Sequence, residues 1–369
     1  MKLALFMMPI HDPKRDYHTT LMEDVETVVL ADKLGYEEAW VGEHYTSAGE
    51  QITNPMMFLA ACLPRTKQIK LATGVICLPQ YNPVTVAGQA AMFDHLCKGR
   101  FIMGVGPGGL PSDFEVFGTL DTDRMEMMTE SIDTIHKIWD GGPPYNIEGK
   151  YFKVKSDRWI YEDIGMGYMA KPYQKPYPPV AISAMSPYSS SMRLAARRKW
   201  DPISANFIGR WSVKSHWEVY ADEAKKSGYT ADPERWRVAR NIYVAPTDKE
   251  AEAFVKRRQQ SYDFYFEYLF KIFERAEMKG PFVLHKGDDP EKLTHEAMRD
   301  DYTIYGSPQT VARKILEFRE EVGHFGTLML TAQDWTSKAK IKKSMTLLAK
   351  EVMPLVNAKL GVTQSAAAE

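Results

Sequence analysis

Cysteine is scarce in this 369-residue sequence, and the common metal-binding motifs are missing. The three cysteines, Cys62, Cys77 and Cys97, are widely spaced and form no CxxC pair, and no HExxH motif occurs. This usage excludes a disulfide-stabilised scaffold and is typical of free or buried thiols in a reducing cytoplasm. We therefore predict a cytoplasmic protein without a metal site.

An excess of charge of one sign and long apolar runs are also lacking. The chain has 47 Lys and Arg against 48 Asp and Glu, a formal net charge of −1. This balance gives no electrostatic reason to expect nucleic acid or an anionic membrane as a partner. No apolar run approaches the roughly 20 residues of a membrane span. The N-terminal stretch MKLALFMMPIHDP has no small-residue cleavage site, so we interpret it as a first buried strand and not as a signal peptide.

Short apolar runs alternate with helical patterns along most of the chain. Continuously apolar strands in repeated βα units are typical of a parallel sheet that is covered on both faces. Eight strands, each followed by a helix, are predicted at Lys2–Met8, Glu37–Val41, Ile69–Leu78, Arg100–Val105, Val180–Ser183, Pro202–Ala205, Arg237–Val244 and Thr327–Leu330. This count predicts an α/β fold, a closed (β/α)8 TIM barrel with insertions. The alternative is an open doubly wound sheet, but the Gly-rich turn after the fourth strand lacks a proper GxGxxG-to-helix transition, and no acidic residue stands at the ribose-binding position.

One barrel domain is predicted over residues 1–360, with two departures from the βα rhythm. Residues 141–179 are rich in Gly, Pro and aromatic residues and predict an insertion that contains a small hairpin. Residues 276–305 follow a long predicted helix, Asp248–Arg275, and are interpreted as a mobile loop that is irregular from Pro281 to Tyr305. The tail 361–369, with its terminal SAAAE, is expected to be disordered.

The search for chemistry narrows to the ends of the predicted strands, because the active site of such a barrel lies at its C-terminal face. The second strand ends in Glu43, His44 and Tyr45. A histidine at this place can act as a base or an acid near neutral pH. The alternative is a structural histidine bonded to a neighbouring loop, and position alone leaves both open.

Two glycine-containing stretches follow the next strands. Thr73 and Gly74 stand where the third strand reaches the mouth, and a glycine there either lets a flat ligand approach the backbone or forms a simple bulge. The stretch GVGPGG after the fourth strand is a weak candidate for a phosphate cradle. Asp113, which follows it, is either a polar ligand contact or a helix cap.

The stretch SAMSPYSSS, residues 183–191, precedes a predicted helix. Hydroxyl groups and free N–H groups at a helix N-terminus can bind an anion without a basic residue. The alternative is an ordinary serine-rich cap. Arg124, near the start of an earlier helix, is either the missing cation or a solvated surface residue.

Several stretches, taken in order, resemble the bacterial luciferase-like flavin monooxygenase family. They are EAWVGEHYT, IKLATGVICLPQYNPVTVAGQAAMFDHLCKGRFIMGVGPGG, DRMEMMTESIDTIHKIW, PPVAISAMSP and YGSPQTVARKI. They span nearly the whole chain. The stretch GVGPGGLPSDFEVFG is most similar to the limonene 1,2-monooxygenase-like branch of that family.

The resemblance implies a barrel that binds reduced FMN, supplied by a separate flavin reductase, at its C-terminal mouth. Oxygen then adds to flavin C4a, and the resulting peroxide or hydroperoxide oxygenates a small hydrophobic substrate such as a terpene, ketone or aldehyde. A homodimer is implied as well. The alternative on the same barrel is a deazaflavin-dependent dehydrogenase or reductase.

The resemblance also assigns roles to individual residues. His44 matches a base near flavin C4a, and Asp113 matches an acidic position near the flavin. Gly74–Val75 matches a non-prolyl cis peptide under the isoalloxazine ring. Gly106 replaces a reactive cysteine of luciferase, and Pro107 replaces a phosphate-binding arginine. The cofactor-binding residues implied are Thr73, Gly74, Val75, Gly106, Arg124, Met185, Ser186, Tyr188 and Ser189, and the apolar residues expected to line the pocket are Phe6, Met8, Ile76, Leu78, Phe207 and Trp335.

Overall fold

The computed structural model describes residues 1–362, and most of the predicted tail, from residue 363 onward, lies outside the described residues. The chain forms a closed barrel of parallel strands surrounded by helices. The strands are β1 Lys2–Met7, β2 Glu38–Val41, β3 Lys70–Thr73, β4 Ile76–Cys77, β5 Phe101–Gly106, β6 Tyr145–Glu148, β7 Lys153–Ser156, β8 Val180–Ala184, β9 Asp201–Ser204, β10 Arg237–Val244, β11 Thr303–Gly306 and β12 Thr327–Thr331. The helices are α1 Tyr17–Lys33, α2 Pro55–Cys62, α3 Pro83–Leu96, α4 Pro111–Val116, α5 Arg124–Asp140, α6 Ser190–Arg198, α7 Arg210–Lys226, α8 Asp248–Val255, α9 Ser261–Arg275, α10 His295–Tyr302, α11 Pro308–Val322, α12 Lys338–Leu347 and α13 Met353–Lys359.

The barrel closes through an unbroken ring of parallel pairs. The order is β1, β2, β3, β5, β8, β9, β10 and β12, and β12 pairs again with β1. The short strand β4 extends the third position of the ring by pairing with β5. The predicted (β/α)8 barrel is therefore confirmed.

Small and large side chains alternate inside the barrel and fill it. Alanines come from alternate strands and leave room for the larger side chains of Phe6 and Trp40. Such layered filling makes the interior a packed core and not a channel. The interior cluster consists of Ala4, Phe6, Trp40, Ala72, Ile102, Ala181, Ile203, Ala239 and Met329.

A buried ion pair lies at the N-terminal end of the barrel, which we call the barrel floor. Arg237 donates from Nε and Nη2 to the two carboxylate oxygens of Glu38, each at 2.7 Å, and from Nη1 to Asp201 at 2.8 Å. Trp40 donates to the same Glu38 carboxylate at 2.7 Å. Arg237, Glu38, Asp201 and Trp40 all belong to strands. Their hydrogen bonds therefore connect β2, β9 and β10 of the barrel wall.

Three parts of the secondary structure differ from the sequence-based expectation. The predicted third strand Ile69–Leu78 is divided into β3 and β4, since the chain turns at the cis peptide between Gly74 and Val75. The predicted helix Asp248–Arg275 is two helices, α8 and α9. Gln259, between the two helices, and Ser261, the first residue of α9, adopt positive φ angles of 55° and 42° and interrupt the helical path.

The segment predicted to be irregular from Pro281 to Tyr305 ends in ordered structure. It includes α10 and nearly all of β11, which pairs with the C-terminal half of β10 outside the barrel ring. The predicted irregularity is wrong for this part, and mobility of the segment stays a prediction. The hairpin predicted within residues 141–179 is confirmed as the antiparallel pair β6 and β7.

Membrane-spanning helices were also sought in the described part of the chain. Of the helices within residues 1–362, none combines the length and the apolar character needed to cross a bilayer.

Candidate active site

The loop that leaves β2 brings a group of polar side chains to the C-terminal mouth of the barrel. The chain leaves the strand at Gly42, where a Cβ atom would lie 2.6 Å from Cγ of Met8, so only glycine fits without displacement. Glu43, His44 and Tyr45 follow. Because Val41 pairs with Thr73 in the register of β2 and β3, these residues and Gly74 leave the barrel side by side.

His44 lies between two carboxylates. Its Nδ1 is 3.3 Å from Oδ2 of Asp113, and its Nε2 is 3.8 Å from Oε1 of Glu50. Burial lowers the pKa of His44, but the negative charge of Glu50 and the contact with Asp113 outweigh that effect and raise it. The imidazole is therefore held where it can accept a proton, with a carboxylate at each ring nitrogen to stabilise the charged form.

Asp113 is fixed by several donors from the same loop. The backbone N–H groups of Tyr45 and Thr46 donate to its carboxylate at 3.2 and 2.9 Å. Burial raises the pKa of Asp113, but the hydrogen bonds from His44 and Thr46 outweigh this and hold it below its ordinary value. Asp113 lies in the short helix α4, and its carboxylate caps the β2 loop. The sequence left the choice between ligand contact and cap open, and the structure places Asp113 beside His44.

Glu43 points to the neighbouring strand position. Its carboxylate accepts hydrogen bonds from the backbone N–H of Cys77 at 2.7 Å and from the hydroxyl of Tyr81 at 2.9 Å. Burial raises the pKa of Glu43 to about 7, although both donors act in the opposite direction. The Tyr81 hydroxyl is 2.6 Å from that of Tyr45, so the aromatic residue after His44 belongs to this network.

The stretch from Thr73 to Val75 forms the floor of the mouth, together with the end of β5. Thr73 is buried, and its hydroxyl donates to the carbonyl oxygen of Gly104 at 2.7 Å. The peptide bond between Gly74 and Val75 is cis. A Cβ atom on Gly106 would lie 2.5 Å from Cγ2 of Val75, so these two segments of the chain are packed too closely for a side chain at position 106. The structure thus brings Gly74, Val75 and Gly106 together.

The predicted anion-binding residues lie in the loop between β8 and α6. Ser189 caps α6, accepting from the N–H of Ser191 at 3.2 Å, and Tyr188 before it has a φ angle of 53°. Met185 is exposed, and its Cε would lie 3.4 Å from a Cβ atom on Gly109, so the loops after β5 and β8 meet there.

Arg124 is at the first residue of α5. Its guanidinium donates to the carbonyl oxygens of Thr119 and Leu120, each at 3.1 Å, and stacks 3.8 Å from the ring centre of Phe114. No carboxylate within residues 1–362 pairs with this guanidinium, so its positive charge is not neutralised by that part of the chain. The sequence left a solvated Arg124 as the alternative, and the structure shows the side chain half-buried against Phe114.

A buried hydrogen-bonded chain holds the loop before α6 and escaped the sequence analysis. The indole N–H of Trp236 donates to Oγ of Ser204 at 3.0 Å, and that hydroxyl is 2.9 Å from Nδ1 of His216. Nε2 of His216 is 2.8 Å from the carbonyl oxygen of Ser186. Because a carbonyl can only accept, Nε2 carries the proton and Ser204 donates to Nδ1. The N–H of Tyr188 donates to Oγ of Ser215 at 2.9 Å.

Sequence reasoning also missed Glu50 and a buried cluster around His11. Both are brought to the site by loop packing, and neither stands in a pattern that periodicity or a motif could reveal. One expected pocket residue lies elsewhere: Trp335 borders a small cavity with Ile341 and Met345, between the barrel wall and α12. The expectation that Trp335 lines the mouth is not supported by that position.

The fold and the site together define a class of protein. A closed (β/α)8 barrel that carries a histidine between two carboxylates at the C-terminal ends of its strands has the architecture of a barrel enzyme with acid–base chemistry at its mouth. Residues 1–324 match the family model described as luciferase-like monooxygenase. The chain belongs to the luciferase-like monooxygenase family.

Three characterised relatives align over nearly the whole chain. 4-Hydroxyprotoasukamycin monooxygenase of Streptomyces nodosus subsp. asukaensis is 31% identical, covering 99% of this chain and 95% of its own. 3,6-Diketocamphane 1,6-monooxygenase of Pseudomonas putida is 30% identical, covering 96% and 98%. Limonene 1,2-monooxygenase of Rhodococcus erythropolis is 29% identical, covering 96% and 87%. The resemblance seen in the sequence is confirmed.

Two solved structures bear on the cofactor. The oxygenating constituent of 3,6-diketocamphane monooxygenase from Pseudomonas putida, a type II Baeyer-Villiger monooxygenase in complex with FMN, superposes with a TM-score of 0.86 at 31% identity over 96% of this chain and 98% of that one. An F420-dependent secondary alcohol dehydrogenase superposes with a TM-score of 0.68 at 19% identity over 96% and 98%. The second likeness shows the shared barrel fold alone.

Proposed function

We propose that this protein is the oxygenase component of a two-component, FMN-dependent monooxygenase that oxygenates a small hydrophobic substrate. The main support is the position of His44 between Asp113 and Glu50 at the mouth of the barrel. It lies beside Gly74 and Gly106, the pair of residues that we call the glycine floor of the mouth. A proton-transferring imidazole next to a place where a flat ring can approach the backbone is what flavin-linked oxygenation requires.

The residues at the mouth fit FMN at both of its ends. Within residues 1–362, Arg124 has no carboxylate partner for its positive charge. The Ser186–Ser189 loop offers hydroxyls and N–H groups at the start of α6. This donor set suits the phosphate. At the other end, Gly74, Val75 and Gly106 leave no side chain above the backbone except that of Val75. This flat surface suits the isoalloxazine ring.

Reduced FMN, when bound, would supply the electrons and the C4a position at which oxygen is activated. The protein residues then have three tasks. His44 accepts or returns a proton at Nε2, the nitrogen that does not contact Asp113. Asp113 keeps the ring oriented and stabilises its positive charge. The packing around the β2 loop limits the access of bulk water, which would otherwise divert activated oxygen to hydrogen peroxide.

Substrate and partners follow from the relatives and from the surface. The relatives named above include enzymes of limonene and of diketocamphane, and by this likeness we assign a terpene, ketone or aldehyde as the substrate class. The solved relative is called an oxygenating constituent, which supports a separate flavin reductase as partner here. Met57 on α2 and Met92 and Leu96 on α3 are exposed apolar side chains, and we assign them to the surface that the second subunit of a homodimer would cover.

A cytoplasmic location is part of the proposal. Cys62, Cys77 and Cys97 are all buried and unpaired, which suits a reducing compartment.

A deazaflavin-dependent dehydrogenase remains the second candidate, because a dehydrogenase that uses F420 shares the barrel. Purified protein titrated with FMN, reduced FMN and F420 under anaerobic conditions separates the two. We expect fluorescence quenching and co-elution with reduced FMN. Tight binding of F420 with no binding of reduced FMN would overturn the first candidate.

The oxygenation itself is tested with a flavin reductase, NADH, 18O2 and a panel of terpenes, cyclic ketones and aldehydes. Mass spectrometry should show one 18O atom in a product. A panel in which reduced FMN binds but no product gains 18O would contradict the substrate class, whereas the flavin assignment would stand.

A further inference from the structure

His44 is nearly enclosed, with only 13% of its side chain exposed. A buried base that takes up a proton in each turnover must return it to solvent before the next one. Direct exchange is hindered, because Asp113 and Glu50 occupy the surroundings of both ring nitrogens. The protein therefore needs a path for protons, and the structure offers one on the Nε2 side of the ring.

The path begins at Glu50. One carboxylate oxygen faces Nε2 of His44 at 3.8 Å, and the other accepts from the hydroxyl of Tyr268 at 3.3 Å. That hydroxyl is in turn 2.6 Å from Oγ of Ser47, so the Glu50 side chain is held in place from its outer side. Burial raises the pKa of Glu50, which lets this carboxyl group hold a proton closer to neutral pH.

A small cavity continues the path beyond Glu50. It is lined by His44, Glu50 and Asp24 together with Glu43, and it has room for about one water molecule. Met7, Met8, Pro9 and Ile52 make the rest of the lining largely apolar, so the polar partners that an ordered water needs would come from the three carboxyl groups and the imidazole. A water there can bridge Glu50 and Asp24, which have no direct contact within the described residues.

The far side of the cavity opens on the His11 cluster, which consists of His11, Asp24 and Asp334. Nε2 of His11 is 3.1 Å from Oδ2 of Asp24, and Nδ1 is 2.6 Å from Oδ1 of Asp334. Burial lowers the pKa of His11, but the hydrogen bonds to the two aspartates outweigh it and raise the pKa to about 9. Asp334 also pairs with Arg15, which pairs with Glu23 at 2.8 Å where the chain meets solvent.

We propose that these groups form a proton route from His44 to the surface, through Glu50, one cavity water and the His11 cluster. The inference rests on the proposed function of His44 as the proton-transferring base. A proton leaves Nε2 of His44 for Oε1 of Glu50 once the 3.8 Å between these atoms shortens to a hydrogen bond, while Glu50 passes one to the water and the water passes one to Asp24. Asp24 protonates Nε2 of His11 in its neutral form, which carries its proton on Nδ1, and the resulting imidazolium releases the Nδ1 proton to Asp334 and then to solvent beside Arg15.

After the transfer one positive charge has moved outward, and His11 carries its proton on Nε2 in place of Nδ1, so a return of the ring to its first tautomer completes the cycle. The reverse sequence supplies a proton to His44. Charged groups of both signs face the route along its length: His44, His11 and Arg15 alternate with Asp113, Glu50, Asp24, Asp334 and Glu23. This alternation keeps a moving proton close to a carboxylate at each stage.

A purely structural role for the His11 cluster is the competing explanation. The cluster connects the loop after β1 to α1 and to the loop after β12, and loss of that connection would lower stability without affecting proton exchange at His44. The two explanations differ in what happens to the His44 ring N–H protons, which can be observed without any flavin.

The test uses the full chain labelled with 15N-histidine and free of flavin, with the His44 signals assigned by their loss in His44→Gln. Saturation transfer from water measures the exchange rate of the His44 ring protons. We expect exchange at least about tenfold slower in Asp24→Asn and Glu50→Gln than in wild type. Asp32→Asn is the matched control, because Asp32 is a second buried carboxylate of α1 that bonds to the backbone of residues 67–69 away from the route.

Exchange at the wild-type rate in Asp24→Asn would overturn the route and leave the structural role. Should Asp24→Asn fail to fold, Asp334→Asn and Glu50→Gln probe the route on its two sides, and Asp24→Glu should restore the wild-type rate. Since the measurement needs no cofactor, its failure is distinct from a failure of the proposed function, which the flavin titration alone decides.

Discussion

Nε2 of His216 lies 2.8 Å from the carbonyl oxygen of Ser186, and this bond fixes the backbone of the loop that we assign to the flavin phosphate. We expect His216→Phe to weaken binding of FMN by about fivefold, because it removes one hydrogen bond, worth about 1 kcal/mol, from the loop. Riboflavin, which has no phosphate, should bind equally well to wild type and variant.

Flavin fluorescence quenching measures both affinities. His324→Gln is the control, since His324 is exposed and contacts Glu234 in the turn that precedes β10, far from the mouth. A parallel loss of FMN and riboflavin affinity in His216→Phe would show a general distortion and not a local effect on the phosphate loop.

The same histidine should make stability depend on pH. Burial lowers the pKa of His216 to about 4. The unfolded chain, with an ordinary histidine, then binds a proton that the folded chain refuses, so stability falls as the pH falls from about 6.5 to 4. The contribution is of order 3 kcal/mol. Urea unfolding should show a smaller loss over this pH range in His216→Phe than in wild type, and equal losses would contradict the neutral, buried imidazole.

The barrel floor carries a stability prediction that is independent of function. Replacing Glu38 by Gln removes the negative charge that faces the buried Arg237 guanidinium and one of its two acceptor oxygens. We expect a loss of about 3–5 kcal/mol in unfolding free energy. Asp222→Asn is the control, because the Lys226–Asp222 pair is exposed and such pairs contribute about 0–1 kcal/mol. Denaturant unfolding measures both, while FMN affinity should be unchanged in the Glu38 variant.

Substitution of His44 separates chemistry from binding. We expect His44→Gln to lower the rate of oxygenation by roughly 10²–10⁴-fold, the range for loss of a general acid or base. FMN affinity should change little, because His44 contacts protein carboxylates and not the phosphate loop. His18→Gln, at an exposed position of α1, is the control in the reductase-coupled assay. Wild-type turnover in His44→Gln would remove His44 from the catalytic role.

The glycine floor gives a steric prediction. A Cβ atom on Gly106 would lie 2.5 Å from Cγ2 of Val75, so Gly106→Ala must displace Val75 from its place under the mouth. We expect weaker binding of both FMN and riboflavin, by about tenfold, since the ring and not the phosphate is affected. Gly88→Ala in α3 meets nothing within 4 Å and should leave flavin binding unchanged while stabilising the helix by about 0.5–1 kcal/mol.

The barrel was predictable from the sequence because most of its strands are recognisable locally, as apolar runs such as Lys2–Met8 followed by helical patterns. The division of Asp248–Arg275 was not predictable in this way. Gln259 and Ser261 adopt positive φ angles, yet neither is a glycine, so no residue type marks the break. The strand β11 was missed for another reason: it pairs only with the end of β10, and a four-residue strand gains its identity from that partner.

The site was predictable in part. His44 stands at a strand end, where position suggests chemistry, and the structure brings it to Asp113, which is 69 residues away in the chain. Glu50 and His11 were not predictable, since their significance depends on pairings across hundreds of residues, such as that of His11 with Asp334. Sequence patterns predict the helix or strand to which a residue belongs. The proposed proton route depends instead on contacts that form only when the loops pack together.

The ion pair of Arg237 and Glu38 has a consequence for how this protein can be altered. It lies at the end of the barrel opposite His44, on residues that belong to strands and not to loops. Directed evolution of a new substrate range can therefore randomise the loops at the mouth while this cluster is left untouched. Libraries built in this way should retain a high fraction of folded variants, because the region that is diversified and the region that closes the barrel do not overlap.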